Sequence, residues 1–254
     1  MRKSAGVAGS TGVGSVLSVG GSVRTVSTND NVLVVSNGVW SDNITVPSAA
    51  VIRIPDSLSL EDSAALPAAL SAYAILHNFV TLKAGDIVVQ SGGDSAVGKA
   101  ISQLGKASGF TVVSASAVEL DDAAFSKKVA AMGSVKLAVS NTAKKNVTKT
   151  LMRCLSAEGS LVLHHGDGST ADEADGVDVP VGSAIFKKNS VYGFDFNGWV
   201  ASDAKGVQKA MAVVAADISS KKMTLTSKVF PQSEYLKALT EVETSGGASV
   251  VLKL

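Results

Sequence analysis

The chain has 254 residues, of which 46% are hydrophobic and 18% charged, and its formal net charge is +1. That composition excludes wholesale disorder and offers no basic surface for nucleic acid or an anionic membrane, while aromatic residues at 5% leave few platforms for stacking bases. Cys154 is the single cysteine, which excludes an internal disulfide and thiolate-rich metal sites, and no apolar run approaches the roughly 20 residues that span a bilayer.

Residues 1–29 carry Arg2, Lys3 and Arg24, no acid and many serines, a composition like that of a mitochondrial presequence. The strand-like run from Val13 to Val19 weighs against a presequence helix. Residues 13–46 read as β-structure, broken at Gly20-Gly21, Asn29-Asp30 and Asn37-Gly38. Gly9-Ser10-Thr11-Gly12-Val13-Gly14 has the glycines of a phosphate loop, but strand follows it, not helix, so it reads as a turn. Pro47 and Pro55 bracket an extended piece at Val51–Ile54. Ser59 is an N-cap candidate with Asp62 three residues on. A helix is expected from Ala64 to Phe79, bent or restarted by Pro67.

From Gly85 onward strands and helices alternate. Strands are expected at 87–90, 111–114, 136–140, 160–164 and 189–193, with helices at 96–108, 119–132, 143–155 and 203–220. In the helix at 96–108, Val97, Ala100, Ile101, Leu104 and Ala107 share one stripe. In the helix at 143–155 the stripe is Val147, Leu151, Cys154 and Leu155, which makes Cys154 a packed core thiol. Strands such as Ile87-Val88-Val89 and Leu161-Val162-Leu163 are apolar without alternation, as expected when helices cover both faces. The fold class is therefore α/β, with a doubly wound parallel sheet (Rossmann-like). β-rich segments flank it at residues 1–56 and 224–254, leaving 57–223 for the α/β domain.

The segment Ser91-Gly92-Gly93-Asp94-Ser95-Ala96-Val97-Gly98 lies between a strand and a helix, where an α/β domain presents a helix N-terminus to a phosphate. As a diphosphate loop it would offer the amides of Ser95 to Val97 to the anion. As a simple βα turn it would be capped by Asp94. Both readings stand. Ser114 to Ser116 closes the next strand, where an acid would take ribose hydroxyls and an Arg a 2′-phosphate, and the sequence offers neither. Lys127 and Lys128 could reach such a phosphate, although a solvated helix face accounts for them equally. His164-His165 ends a strand, but neighbouring strand residues point to opposite faces, and His77 lies on an earlier helix, so no zinc set is expected.

The chain resembles the medium-chain dehydrogenase/reductase superfamily. Within it the likeness is to the mitochondrial 2-enoyl thioester reductases, with quinone oxidoreductases next. The segments that carry it are Gly9 to Gly14 with its valine-rich strand, Gly38-Val39-Trp40-Ser41, Ala64-Ala65-Leu66-Pro67 leading to Ser71-Ala72-Tyr73, Gln90 to Gly98, Gly193-Phe194-Asp195-Phe196-Asn197-Gly198-Trp199, and the close at Tyr235-Leu236-Lys237-Ala238-Leu239 and Val250 to Leu252. The resemblance implies a smaller β-rich, GroES-like substrate domain built from both chain ends, N-terminally truncated. It implies NADPH as cofactor, with Ser91, Gly92, Gly93, Ser95, Ala96, Val97, Gly98, Ser116, Phe194 and Phe196 at the cofactor site. It also implies a mitochondrial location and pairing of subunits through the strand at 189–193.

The sequence departs from the family pattern at several points. The family's Tyr lies ahead of the turn at Gly9, and Tyr73, Tyr192 and Tyr235 fall elsewhere, so no catalytic residue is carried over. Asp94 adds negative charge to the loop, Ser116 stands where NADPH-dependent relatives have Arg, and Lys144-Lys145 stands where they have glycines. The expectation is an enoyl thioester reductase-like protein that is degenerate or inactive and serves as a structural or regulatory subunit, with protein partners or as a homodimer. The alternative is an active NADPH-dependent oxidoreductase reducing an enoyl thioester or quinone.

Overall fold

A computed structural model describes residues 9–116, 119–120, 123–141, 144–164, 177–244 and 249–254. The chain divides into two compact units: residues up to Leu70 together with Phe196–Leu254, and Ser71–Asp195. Both divisions fall inward along the chain of the boundaries expected at 57 and 223.

The Ser71–Asp195 unit holds a five-stranded parallel sheet. Its strands are β4 (Ile87–Ser91), β5 (Thr111–Ala115), β6 (Val135–Ser140), β7 (Ser160–His164) and β8 (Ser190–Phe194), in the spatial order β5-β4-β6-β7-β8. Chain order therefore reverses at β4, which has β5 on one side and β6 on the other. The residues Val88, Val89, Leu137, Ala138, Val139, Leu161 and Val162 are fully buried, as uninterrupted apolar strands under two helical layers must be. The helices are α3 (Ala96–Ala107), α4 (Ala123–Met132), α5 (Lys145–Cys154) and a short α6 (Val181–Ile185), joined by the end of α2 (Leu66–Asn78).

The stripe expected on α5 is buried as read, from Val147 through Leu151 to Cys154 and Leu155. The Cys154 thiol donates to Thr150 O at 3.3 Å, and burial pushes its pKa up to about 11. The stripe expected on α3 is buried at Ala100, Ile101 and Leu104, but Val97 is only half-buried and Ala107 exposed. Gly98 and Gly105 are buried in their place, because small residues let α3 lie close to the sheet. Strand β8, expected at 189–193, is an edge strand with Tyr192 41% exposed.

The other unit has a three-stranded antiparallel sheet of β1 (Thr11–Ser15), β2 (Asn31–Val35) and β3 (Val51–Arg53), and a parallel pair of β9 (Ser227–Pro231) and β10 (Ser249–Lys253). The run expected as strand to Val19 ends at Ser15, because Val16 turns to exchange backbone hydrogen bonds with Asn29 and Asp30. Gly9 sits at φ 93°, and a Cβ there would lie 2.2 Å from Trp40 Cδ1, but Thr11 to Gly14 pair with β2 as part of β1, so only Gly9 and Ser10 remain of the turn expected over Gly9–Gly14. Ser59 caps α1 (Leu60–Ser63), its Oγ accepting from Asp62 N at 3.0 Å. Pro67 restarts the chain as the second residue of α2. The later helices are α7 (Phe196–Ser202), α8 (Ala204–Ser219) and α9 (Tyr235–Thr244). Contacts tie the two stretches of this unit together: Lys253 Nζ reaches Glu61 Oε1 at 3.2 Å across 192 positions, and Ser219 Oγ meets Ser57 Oγ across 162.

Candidate dinucleotide site

The reversal of strand order at β4 opens a crevice at the carboxyl ends of β4, β5 and β6, where open α/β sheets bind ligands. The loop after β4 is built on glycines that have no room for a side chain. A Cβ on Gly98 would lie 2.3 Å from Gly92 O and 2.8 Å from Gly93 Cα. A Cβ on Gly93 would lie 2.5 Å from Ser114 Oγ, so the loop rests directly on the end of β5. Gly92 takes φ 64°, the left-handed region, with Asn141 Nδ2 at 2.8 Å from its would-be Cβ.

The structure moves two expected roles. The N-cap of α3 is Ser95, not Asp94: Ser95 Oγ accepts from Gly98 N at 3.0 Å, while Asp94 is exposed. Ser95 N donates back to Gly92 O at 2.9 Å, so this amide closes the turn and is spent. Ala96 and Val97 keep their N–H groups at the helix N-terminus, where no partner takes them among the described residues. Those two donors, with the helix dipole behind them, are what the loop can offer an anion.

Asn141, the first residue after β6, locks the loop from beneath. Its backbone N donates to Ser91 Oγ at 3.1 Å, and its Nδ2 lies 3.0 Å from Ser91 O, 3.2 Å from Gly92 O and 3.0 Å from Ser95 Oγ. Gln90, fully buried, ties β4 to its neighbours through Nε2, at 3.0 Å from Gly98 O, 3.0 Å from Ser102 Oγ and 2.9 Å from Ser114 Oγ. Gln90 Oε1 and Asn141 Oδ1 are buried acceptors without a partner among the described residues. Sequence reading passed over this pair, since a buried amide in an apolar strand carries no pattern of its own.

At the end of β5, Ser116 is engaged by Glu119. Ser116 N and Ser116 Oγ donate to Glu119 Oε2 at 3.0 and 2.8 Å, and Glu119 N donates to Ser116 Oγ at 3.3 Å. This is a capping box that the sequence reading missed, although its Ser-x-x-Glu spacing is the signal that could have found it. The Ser116 backbone N–H, and then its hydroxyl, hold the Glu119 carboxyl below the usual range.

The remaining expected site residues, and the other residues weighed in the sequence, have their own surroundings. Phe194, buried at the end of β8, packs edge-on to Phe79 with centroids 6.2 Å apart and against His164 at 5.8 Å. Phe196 starts α7 in the other unit and lies 6.3 Å from Trp199. Lys144 and Lys145 are exposed at the start of α5. His77 stacks on Tyr73 at 4.1 Å, and its Nδ1 lies 2.8 Å from Tyr73 O. His165, Asp121 and Asp122 lie outside the described residues.

No protein-family model matches the chain. Comparison with known proteins nevertheless places its fold. An enoyl thioester reductase from Candida tropicalis, in mutant form, superposes with a TM-score of 0.81 at 18% identity, covering 98% of this chain and 80% of that one. A quinone oxidoreductase of Pseudomonas syringae pv. Tomato gives 0.81 at 18% identity, covering 97% and 82%. The chain thus has the fold of the medium-chain dehydrogenase/reductase superfamily. Within that superfamily it resembles the mitochondrial enoyl thioester reductases: the mitochondrial enoyl-[acyl-carrier-protein] reductase of Dictyostelium discoideum is 28% identical over 98% of this chain and 78% of its own length.

Proposed function

We propose that the chain is an enoyl thioester reductase-like protein that binds a nicotinamide dinucleotide at the Ser91–Gly98 loop. The observation that carries this reading is the pair of unspent N–H groups at Ala96 and Val97, presented by a loop whose Gly92, Gly93 and Gly98 leave space only for backbone. Two independent facts support it. The loop rests on the end of β5, since a Gly93 Cβ would stand 2.5 Å from Ser114 Oγ, and a structural neighbour was solved in complex with NADP and crotonyl-CoA. A bound dinucleotide would supply hydride chemistry, and the chain's part is to hold and orient it.

A second reading is favoured by the loop's surroundings. The hydroxyls of Ser91, Ser95 and Ser114 accept from Asn141, Gly98 and Gln90, and the Ser116 hydroxyl donates to Glu119. Apart from Glu119, none of these is a Tyr, His, Lys or carboxyl group of the kind that usually transfers a proton in catalysis. In this reading the chain binds the dinucleotide without turnover and acts as a structural or regulatory subunit in mitochondria, by analogy with relatives named for that compartment. Pairing of two copies through the β8 edge accompanies either reading, and a related Candida tropicalis reductase forms a heterodimer.

The experiment is a thermal-shift titration with NADPH and NADH, followed by a turnover assay with crotonyl-CoA. At ligand about 100-fold above its Kd, stabilisation of about 2.7 kcal/mol is expected. Binding with turnover supports a reductase, and binding without turnover supports the silent subunit. No shift with either dinucleotide sinks both readings.

A further inference from the structure

The end of β5 carries a charge opposite to what a 2′-phosphate needs. In a doubly wound sheet, a dinucleotide whose diphosphate lies on the β4 loop has its adenosine ribose over the end of the next strand. Here that strand is β5, and its contact with the loop is direct, since a Gly93 Cβ would stand 2.5 Å from Ser114 Oγ. The ribose position therefore falls at Ser114 to Ser116, next to the Glu119 carboxylate.

We propose that Glu119 makes this site select a dinucleotide with free ribose hydroxyls over one carrying a 2′-phosphate. The inference rests on the nucleotide-binding reading above and specifies which cofactor it concerns. Three observations carry it. First, both donors of Ser116 are committed to Glu119 Oε2, so Ser116 has no hydrogen left for a phosphate, while the carboxylate retains acceptor capacity for a hydroxyl. Second, the sequence from Ala107 to Ser126 contains no Lys or Arg, and it contains Glu119, Asp121 and Asp122, with Lys106, Lys127 and Lys128 just outside it. Lys128 is the cation that acts on Glu119, and its effect is the smallest of those that set the carboxyl's pKa. Third, the position is held rigidly against the loop: fully buried Gln90 bonds Ser114 Oγ at 2.9 Å and Gly98 O at 3.0 Å, so the end of β5 and the loop keep a fixed spacing. A doubly charged phosphate brought beside a fixed carboxylate is repelled, and among the described residues the cation acting on that carboxylate is Lys128, a point charge and not the guanidinium fork that suits a phosphate. A pair of vicinal hydroxyls meets an acceptor instead.

Glu119→Gln separates charge from structure. Glutamine serves in a capping box as glutamate does, so the turn at Ser116 keeps its hydrogen bonds and the free protein keeps its melting temperature. Kd values for NADH and NADPH are measured by fluorescence titration on wild type and E119Q, at about 0.02 M and about 0.5 M salt. Wild type is expected to bind NADH about tenfold tighter than NADPH at low salt, which is about 1.4 kcal/mol, with the ratio shrinking at high salt. E119Q is expected to bring the two affinities within about threefold, mainly by improving NADPH. Wild-type protein that binds NADPH as tightly as NADH, or an E119Q ratio equal to the wild-type ratio, overturns this inference and leaves nucleotide binding standing. Binding of neither dinucleotide overturns nucleotide binding, and this inference with it.

Discussion

Gly98→Ala is the smallest change that tests how the loop is built. The added carbon would lie 2.3 Å from Gly92 O, 2.8 Å from Gly93 Cα and 3.0 Å from Gly93 C. Comfortable carbon–oxygen contact begins at about 3.3 Å, so α3 must retreat from the loop by about 1 Å. The loop cannot yield instead, because Asn141 Nδ2 holds Gly92 O at 3.2 Å and Ser91 O at 3.0 Å. Overpacking of this kind costs about 1–3 kcal/mol. Alanine regains up to about 1 kcal/mol of helix propensity. With the full propensity gain the net loss is up to about 2 kcal/mol, which lowers Tm by up to about 8 °C at about 2–4 °C per kcal/mol. Gly105→Ala is the control in the same helix. Its Cβ would meet a side-chain methyl, Val112 Cγ2 at 2.5 Å, with no backbone atom among its near contacts. Because Val112 is only half-buried on the edge strand β5 and can turn aside, G105A is expected to lose less than G98A. Differential scanning calorimetry on both variants, with and without dinucleotide, provides the measurement. A G98A protein as stable as wild type, with unchanged dinucleotide affinity, would refute the close approach as the reason for this glycine.

Two further predictions concern buried groups. Asn141→Asp replaces the Nδ2 donor with a carboxylate that faces Ser91 O and Gly92 O. It should cost at least about 2 kcal/mol at neutral pH and recover part of that in acid, where the group protonates and regains a donor; urea unfolding at both pH values checks it. Cys154 sets an alkaline limit. Its thiol is held at about 11 against an ordinary value of 9.0, so below about pH 9 both folded and unfolded states are protonated and its contribution is intact. Between about pH 9 and pH 11 only the unfolded state ionises, and stability falls by up to about 2–3 kcal/mol. Cys154→Ala should show a shallower alkaline fall in urea unfolding; equal slopes in both proteins would contradict the assignment.

The α/β unit was legible because its signals are local and redundant. The buried stripe of α5 through Val147, Leu151 and Cys154 follows helical period, and β4 to β7 are apolar runs closed by glycine or serine. The capping arrangement at Ser59 and Asp62 and the restart at Pro67 were equally local. The site was legible only as a segment. Asp94 and Ser95 are both good caps by composition, and the choice between them is made by backbone geometry, with Ser95 at φ −68° and ψ 161°. Asn141's lock on Ser91 spans 50 positions, a distance no periodicity reports. Glu119 was not singled out in the sequence; the Ser-x-x-Glu spacing could have marked it as a cap, but its place beside the β4 loop depends on β5 pairing with β4.

The split of the β-rich unit into two stretches has a consequence for the order in which the chain matures. Contacts such as Lys253 with Glu61 span 192 positions and cannot form until the whole intervening segment has been made. Ser71–Asp195 is continuous and carries its own sheet, so it can condense first from contacts within itself. Once condensed, it replaces a long flexible loop with a compact spacer, and the entropy of joining the two outer stretches falls. Until then the two-stranded pair β9–β10 has too little to pack on to be stable alone. A lesion in the continuous unit, such as one at Gly98, would therefore delay the β-rich unit as well, by a route that involves no shared contact.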